Sequence, residues 1–237
     1  MFFRRYNNKN VDIEFFAEQR HIDAFPHPRP AAKFIPEYFQ KLKPQSSSHP
    51  AAGTVKRCVP FLEALTHGYI IPLWSDVWVR AINNEITIEF PENLPMQSSL
   101  SPHGQVQIND HPLTEKPYGD IPMKWHNPWG VKTPKGWSCL FTSPLNHLET
   151  RFKILDGIVD TDTYYNQTNF PFIWTGGEGE FFIPRGTPLV QVIPYKRLEP
   201  TYAITEQDDR LRLATSAKVG TKLRNAYRTM FWHKKQE

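Results

Sequence analysis

The 237-residue sequence predicts a mainly β protein of sandwich or barrel-like type, with short N-terminal helices and a basic C-terminal helix. Three observations carry this. After Gly68 the apolar residues recur with a period of two, in short runs separated by Pro, Gly and Asn. Proline is frequent, at 22 residues, and aromatics make up 14% of the chain, a mixture that favours short strands and rigid loops over long helices. No repeat of fixed period is visible, and short strands at this spacing indicate a sandwich or barrel.

Taken in order, residues 11–17 (VDIEFFA) open with apolar/polar alternation and read as a strand. AFPHPRPAA is a rigid extended connection, because its prolines fix φ and push the preceding residues out of the helical region. In the next stretch Phe34, Ile35, Tyr38, Phe39 and Leu42 share one helical face, with Pro36 acceptable only in the first turn. PQSSSHPAAG is a loop. Arg57 to Thr66 is a second short helix stopped by His67-Gly68. Strands follow at 69–73, 77–82, 85–90 and 104–109, with Asn83-Asn84 as a hairpin turn. Residues 91–103 and 110–134 read as long ordered loops, and strands resume at 136–142, 151–159, 170–174, 180–183 and 188–196. The last stretch is helical, with Val219, Leu223, Tyr227 and Met230 on one face. This divides the chain into an N-terminal extension (1–53), a β domain (54–200) and a basic helical segment (201–237).

Composition narrows the function classes. Hydrophobic residues make up 39% and charged residues 22%, enough for a packed core. No apolar run reaches the ~20 residues that span a bilayer, and MFFRRYNNKN lacks a signal peptide's apolar core, so the expected location is the cytosol and no membrane partner is expected. Cys58 and Cys139 have no metal-ligand spacing and read as buried or half-buried thiols. The formal charge is +4, but Arg210 to Glu237 carries eight Lys or Arg against one Glu, so the remaining 209 residues are net −3. That basic segment is either a helix docked on the sheet with a solvated face or a contact for a protein or nucleic acid.

The chemistry-bearing residues concentrate in PKGWSCLFTSPLN (134–146), GIVDTDTY (157–164), NFPFIW (169–174) and IPRGTPLVQVIP (183–194). A carboxylate just past a buried strand is held rigidly while its head meets solvent, where it can orient a hydroxyl or activate a water. Hydroxyl and amide side chains beside turn N–H groups can bind phosphate oxygens. The order of these segments, with Ser143, Gly157-Ile158-Val159-Asp160 and Gly186…Val190-Gln191, resembles successive motifs of the dUTPase and dCTP deaminase superfamily.

The resemblance implies a dUTPase-like β-clip or sandwich, a homo-oligomer of trimeric type, and a nucleotide as ligand. It implies that Asp160 is the catalytic carboxylate, that Ser143 and Gln191 lie near phosphates, that Tyr164 lines the base pocket, and that Asn146 and Asp162 complete the binding set. Mg²⁺ enters only if nucleotide phosphates are bound, and any enzyme activity would be nucleotide hydrolysis of the dUTPase type. The implied geometry is an open crevice in which the Asp160 carboxyl faces Ser143 and Gln191.

The sequence departs from that pattern at several points. Phe141-Thr142-Ser143-Pro144 stands where the superfamily has Arg-Ser-Ser or Arg-Ser-Gly, so the phosphate-binding arginine is missing. Charge-assisted hydrogen bonds of that kind are worth ~1.5–3 kcal/mol each, and their loss argues against efficient hydrolysis. Ile70 replaces the Asp of the first motif, Tyr164 falls one place late after Asp160, and no Gly-rich C-terminal arm is present. Asp160 and Asp162 also have a plain turn-forming reading.

The run that includes RCVPFLEALTHGYIIPL, TDTYYNQTNFPFIW and FWHKK resembles an uncharacterised family of marine tailed phages and bacteria, which implies a viral or mobile-element origin and a place in host cytoplasm or virion. Three functions stand: a phage-type accessory protein that binds a nucleotide or similar small ligand without efficient hydrolysis, a virion or structural oligomeric β protein, and a Mg²⁺-dependent nucleotide pyrophosphatase or deaminase-like enzyme.

Other constellations are weaker. His21-Ile22-Asp23 has the H-x-D form of a facial-triad iron site but sits before the Pro-rich linker. GEGEFFIPRGTPL resembles a cupin motif with Leu189 in the place of the metal-binding His; its Pro-x-Gly is a β-turn with Gly186 at positive φ. The Trp-rich stretch 123–137 is either a lid packed on the sheet or a surface of aromatics for stacking bases or sugars.

Overall fold

In the computed structural model, residues 13–49, 53–83, 85–91, 93–96, 98–102, 123–221 and 226–232 are described. They form a mainly β protein built from antiparallel sheets. The central sheet runs β11-β9-β14-β3-β2, from Gly157–Val159, Trp137–Thr142, Pro188–Lys196, Tyr69–Pro72 and Arg29–Pro30. A second sheet, β10-β12-β7-β6, comes from Phe152–Ile154, Phe170–Trp174, Met123–Trp125 and Leu100–Pro102. A third, β13-β4-β5, comes from Gly179–Ile183, Val77–Ile82 and Glu85–Glu89. β1 (Glu14–Phe16) pairs with β8 (Gly130–Lys132).

Alternation explains the sheets. In β4, Val77, Val79 and Ala81 enter the core while Trp78, Arg80 and Ile82 face out. The hairpin to β5 turns at Asn83 with φ of 52°. β14 is central and long, pairing with β9 on one side and β3 on the other, so Leu189, Val190 and Val192 are buried. Gly186 takes φ of 87° in the turn Pro184–Thr187, closed by the Thr187 N–H donating to Pro184 O at 3.1 Å.

Helices stop where the sequence breaks them. The expected single helix around Pro36 is two pieces, a 3₁₀ turn at Ala31–Phe34 and α2 at Glu37–Lys41, because Pro36 cannot donate its nitrogen to a continuing ladder. A six-residue α1 (Gln19–Ala24) precedes them. α3 (Val59–Thr66) carries Pro60 in its first turn and ends before Gly68. Gly68 has φ of 67°, and a Cβ there would lie 2.1 Å from Val192 O, so both the turn and the close approach require glycine.

Several expectations are corrected. The strand expected over 151–159 is two strands in two sheets, β10 and β11, because the chain crosses between layers at Leu155 and Asp156. The stretch 110–134 is not simply loop: β7 and β8 lie within it. The strand expected at 104–109 lies outside the described residues. Cys58 is exposed rather than half-buried, since it caps α3 at the surface, while Cys139 is buried and its thiol is pushed up to about 11 by burial. The C-terminal segment holds α4 (Asp209–Thr221) and α5 (Ala226–Met230); Val219, Tyr227 and Met230, which a helix docked on the sheet would bury, are exposed, and Leu223 lies outside the described residues. The tail returns to the body at Trp232, whose indole N–H donates to Glu63 at 2.9 Å. No helix among the described residues is long and apolar enough to cross a membrane.

The core is aromatic. Trp125 stacks on Phe172 with centroids 4.7 Å apart and meets Trp74, Phe90 and Phe152 edge-on. Trp125 and Trp129 are both buried, so these two members of the Trp-rich stretch form core rather than an exposed stacking surface.

Candidate functional site

The acidic turn grows out of β11. Val159 pairs with Cys139, so the next residue, Asp160, comes to lie beside Ser138 of β9. The Ser138 hydroxyl donates to Asp160 Oδ1 at 2.7 Å. The chain then turns sharply: the Thr163 and Tyr164 N–H groups donate to Asp160 O at 3.0 and 2.9 Å. Thr161 points inward, with its hydroxyl 2.7 Å from that of Thr133. Asp162 turns back under the hairpin, where the Gly136 N–H donates to it at 2.8 Å.

Arg197 closes this arrangement. It follows β14, whose last residue Lys196 pairs with Trp137, and its own N–H donates to Gly136 O at 2.8 Å. The guanidinium grips Asp162 with two bonds of 2.9 and 2.5 Å and lies 3.1 Å from Asp160 Oδ1. The Asp162 side chain is only 2% exposed, whereas that of Asp160 is 60% exposed. The Arg197 hydrogen bonds, then the Gly136 N–H, hold the Asp162 carboxyl down to about 2. A carboxylate stabilised in this way is a poor proton acceptor, because its charged form is already hydrogen-bonded.

Ser143 and Gln191 lie elsewhere. Gln191 pairs with Thr142 at the far end of β9 from Ser138. At strand rise, Ser143 is about 17 Å along from the Ser138 position. Within one chain the shared crevice expected around Asp160, Ser143 and Gln191 is therefore not formed; the hairpin register places them at opposite strand ends. The Ser143 hydroxyl accepts the Ile154 N–H at 3.0 Å. Gln191 is fully buried, accepting the Leu145 N–H at 2.7 Å and donating to Ala64 O and His67 O at 3.0 and 2.7 Å. Asn146 is a turn residue with φ of 59°, its carbonyl accepting the Tyr38 hydroxyl at 2.5 Å.

Tyr164 is the nominated residue that lines a cleft. The cleft has a volume of about 490 Å³, and Asn166, Asn169, Ser98, His126 and Arg20 also line it. The Arg20 guanidinium pairs with Glu18 at 2.8 Å. His126 lies 2.7 Å from the Ser101 hydroxyl, and burial followed by the charge of Lys124 lowers its pKa, which favours the neutral ring. The lining is thus rich in amides, with the Glu18–Arg20 pair, two imidazoles and the Tyr164 ring beside them, and its size falls in the range of small-molecule sites. His21 of the H-x-D triplet also lines the cleft; it is buried, with Nε2 2.9 Å from Pro95 O. No group of three His, Cys, Asp or Glu fit to hold a metal ion occurs among the described residues.

Two features escaped the reading of the sequence. Arg197 has no motif of its own; its signal is position, immediately after a strand paired with the one that faces the acidic hairpin. The cleft draws on α1, the residues after β5 and the β7–β8 connection, which no single stretch of sequence brings together.

Neither a protein-family model nor a curated protein matches the sequence. Solved structures resemble it in part. The EIAV dUTPase covers 60% of this chain and 85% of its own at 10% identity and a TM-score of 0.32. A mutant dUTPase from phage phi11 of S. aureus covers 60% and 84% at 13% identity and a TM-score of 0.31. A mutant dUTPase of phage 80alpha covers 85% and 92% at 10% identity and a TM-score of 0.38. At these identities and TM-scores the likeness assigns no residue a role. The fold and site define a mainly β, antiparallel protein with an arginine-locked acidic turn and an amide-lined cleft.

Proposed function

We propose that this chain is an accessory protein of phage type that binds a nucleotide or similar small polar ligand without efficient hydrolysis, with residues 54–200 as the main body and α1 of the N-terminal segment completing the binding cleft. The observation that supports this reading is the lock on the acidic turn. Arg197 neutralises Asp162 and lies against Asp160, so the residue nominated as catalytic sits in a structural knot. Tyr164 remains at the rim of the cleft, where its ring can stack on a base while the amides of Asn166 and Asn169 supply donors and acceptors. Mg²⁺ belongs to this reading only through phosphates on the ligand.

A thermal-shift screen of deoxynucleotides, with and without Mg²⁺, tests it. Stabilisation by one nucleotide that is lost in Tyr164→Ala is the expected result. No shift with any nucleotide defeats it.

A second reading, an oligomeric building block of a virion, draws support from the C-terminal region. Tyr202 and Ile204 are almost fully exposed, and α4 exposes Leu211 and Leu213, although an isolated helix of this length is marginal without packing. A homo-oligomer that buries these residues fits that reading. Light scattering on the full chain and on a Leu211→Glu/Leu213→Glu variant tests it: a defined oligomer that dissociates in the variant is expected, and a monomer in both defeats it.

A further inference from the structure

The outer face of the β13-β4-β5 sheet carries groups that neither reading uses. Strand alternation sends Trp78 and Phe182 outward at directly paired positions, the two residues being 47% and 48% exposed. Their rings lie 5.3 Å apart at 44°, forming the two walls of a shallow V. One step along the strands, Arg80 pairs with Glu180, and across the sheet Glu89 faces Trp78 while Thr87 faces Arg80. These six side chains line a recess of about 410 Å³. The Arg80–Glu180 contact is loose, at 3.8 Å, which leaves guanidinium donors for a ligand.

The chemistry of the recess selects its ligand. Two large aromatic faces left in water are costly unless something apolar and flat covers them. The rim carries charged groups of both signs, one guanidinium and two carboxylates, together with the Thr87 hydroxyl. A phosphate-bearing ligand would meet two carboxylates against one arginine. A cationic ligand would be drawn to the two carboxylates but repelled by Arg80, which lies 3.8 Å from one of them. A neutral polyol meets neither penalty, since each hydroxyl both donates and accepts and so pairs with Arg80 and with Glu89 or Glu180.

The geometry points to a saccharide-binding site on this face, in which the C–H face of a neutral sugar ring packs on Trp78 and Phe182 and its hydroxyls bond to Arg80, Glu89 and Glu180. The aromatic pair supplies contact area at fixed geometry, and the charged rim, one strand step away, sets the orientation of the ring. The site is independent of the cleft beside Tyr164.

Saturation-transfer NMR and calorimetry on the full chain with maltose, cellobiose, lactose and N,N′-diacetylchitobiose test this. Saturable binding of at least one, with Kd on the order of 1 mM, is expected. Trp78→Ala should weaken it about tenfold or more, and Arg80→Ala, on the exposed rim, should weaken it without lowering the melting temperature, which keeps the test sound if the tryptophan variant folds poorly. Three results would overturn the proposal: no binding of any of the four sugars, binding indifferent to Arg80→Ala, or self-association of the wild type that Trp78→Ala abolishes, which would make this face an interface between copies.

Discussion

Arg197 and Asp162, thirty-five residues apart in sequence, are joined by two hydrogen bonds that fasten the end of β14 to the acidic turn. The pair explains why this turn keeps its shape and why the Asp162 carboxylate, 2% exposed, is not at the disposal of a substrate. Arg197→Ala and Asp162→Ala should each lower the melting temperature. The double variant should fall little further than either alone, because both remove the same contact. Thermal melts of the four proteins check this; additive losses would show that the two residues act separately.

The same pair gives a pH dependence. The Asp162 carboxyl sits at about 2 in the folded chain against an ordinary value of 3.8. A depressed folded pKa contributes stability that is present above the ordinary value and lost as pH falls toward 2. Glu149 adds to this loss: burial alone would raise its pKa, but the hydrogen bonds and charge of Arg151 outweigh burial and hold it below the usual range. Melting temperature measured from pH 5 to pH 2 should therefore decline, and Asp162→Asn should show a shallower decline.

Gln191 should behave as a structural residue. Its amide satisfies the Leu145 N–H and the carbonyls of Ala64 and His67 in a site closed to solvent. Gln191→Leu removes all three of these bonds, and at ~1–3 kcal/mol for a buried group left unsatisfied the loss should be at least of that size. Urea denaturation measures it. A variant as stable as the wild type would show that the amide is held for a ligand instead.

Trp125 provides a test of the core. Trp125→Ala should cost ~3–5 kcal/mol, the range for a large aromatic removed from a packed interior. Trp125→Phe should cost much less, since the indole N–H is buried without a hydrogen-bond partner among the described residues. Equal, small effects on denaturation would mean that this residue belongs to a mobile lid.

Much of the fold is written locally. The alternation in Val77 to Ile82 and the Pro184-Arg185-Gly186 turn are visible because each depends on neighbouring residues and the pleat. The split of 151–159 is not visible, because alternation tells which way a side chain points and not which sheet the strand joins. Trp125 shows the same limit: a tryptophan among His, Pro and Lys reads equally as surface or core until Phe172 and Trp74 are brought to it. At the site, the turn after Val159 was legible from Asp-Thr-Asp, but its partner Arg197 was not. The pairing rests on the β9–β14 register, a long-range fact that no spacing encodes.

In the proposed function the acidic turn is a structural lock and the ligand binds in the Tyr164 cleft. Pyrophosphate release from dUTP and dCTP, with Mg²⁺ present, tests it most directly when wild type and Asp160→Asn are compared beside a calorimetric titration. The expected result is a nucleotide that binds, loses affinity in Tyr164→Ala, and is not turned over by either protein above the uncatalysed rate. Steady pyrophosphate release by the wild type that disappears in Asp160→Asn would contradict it.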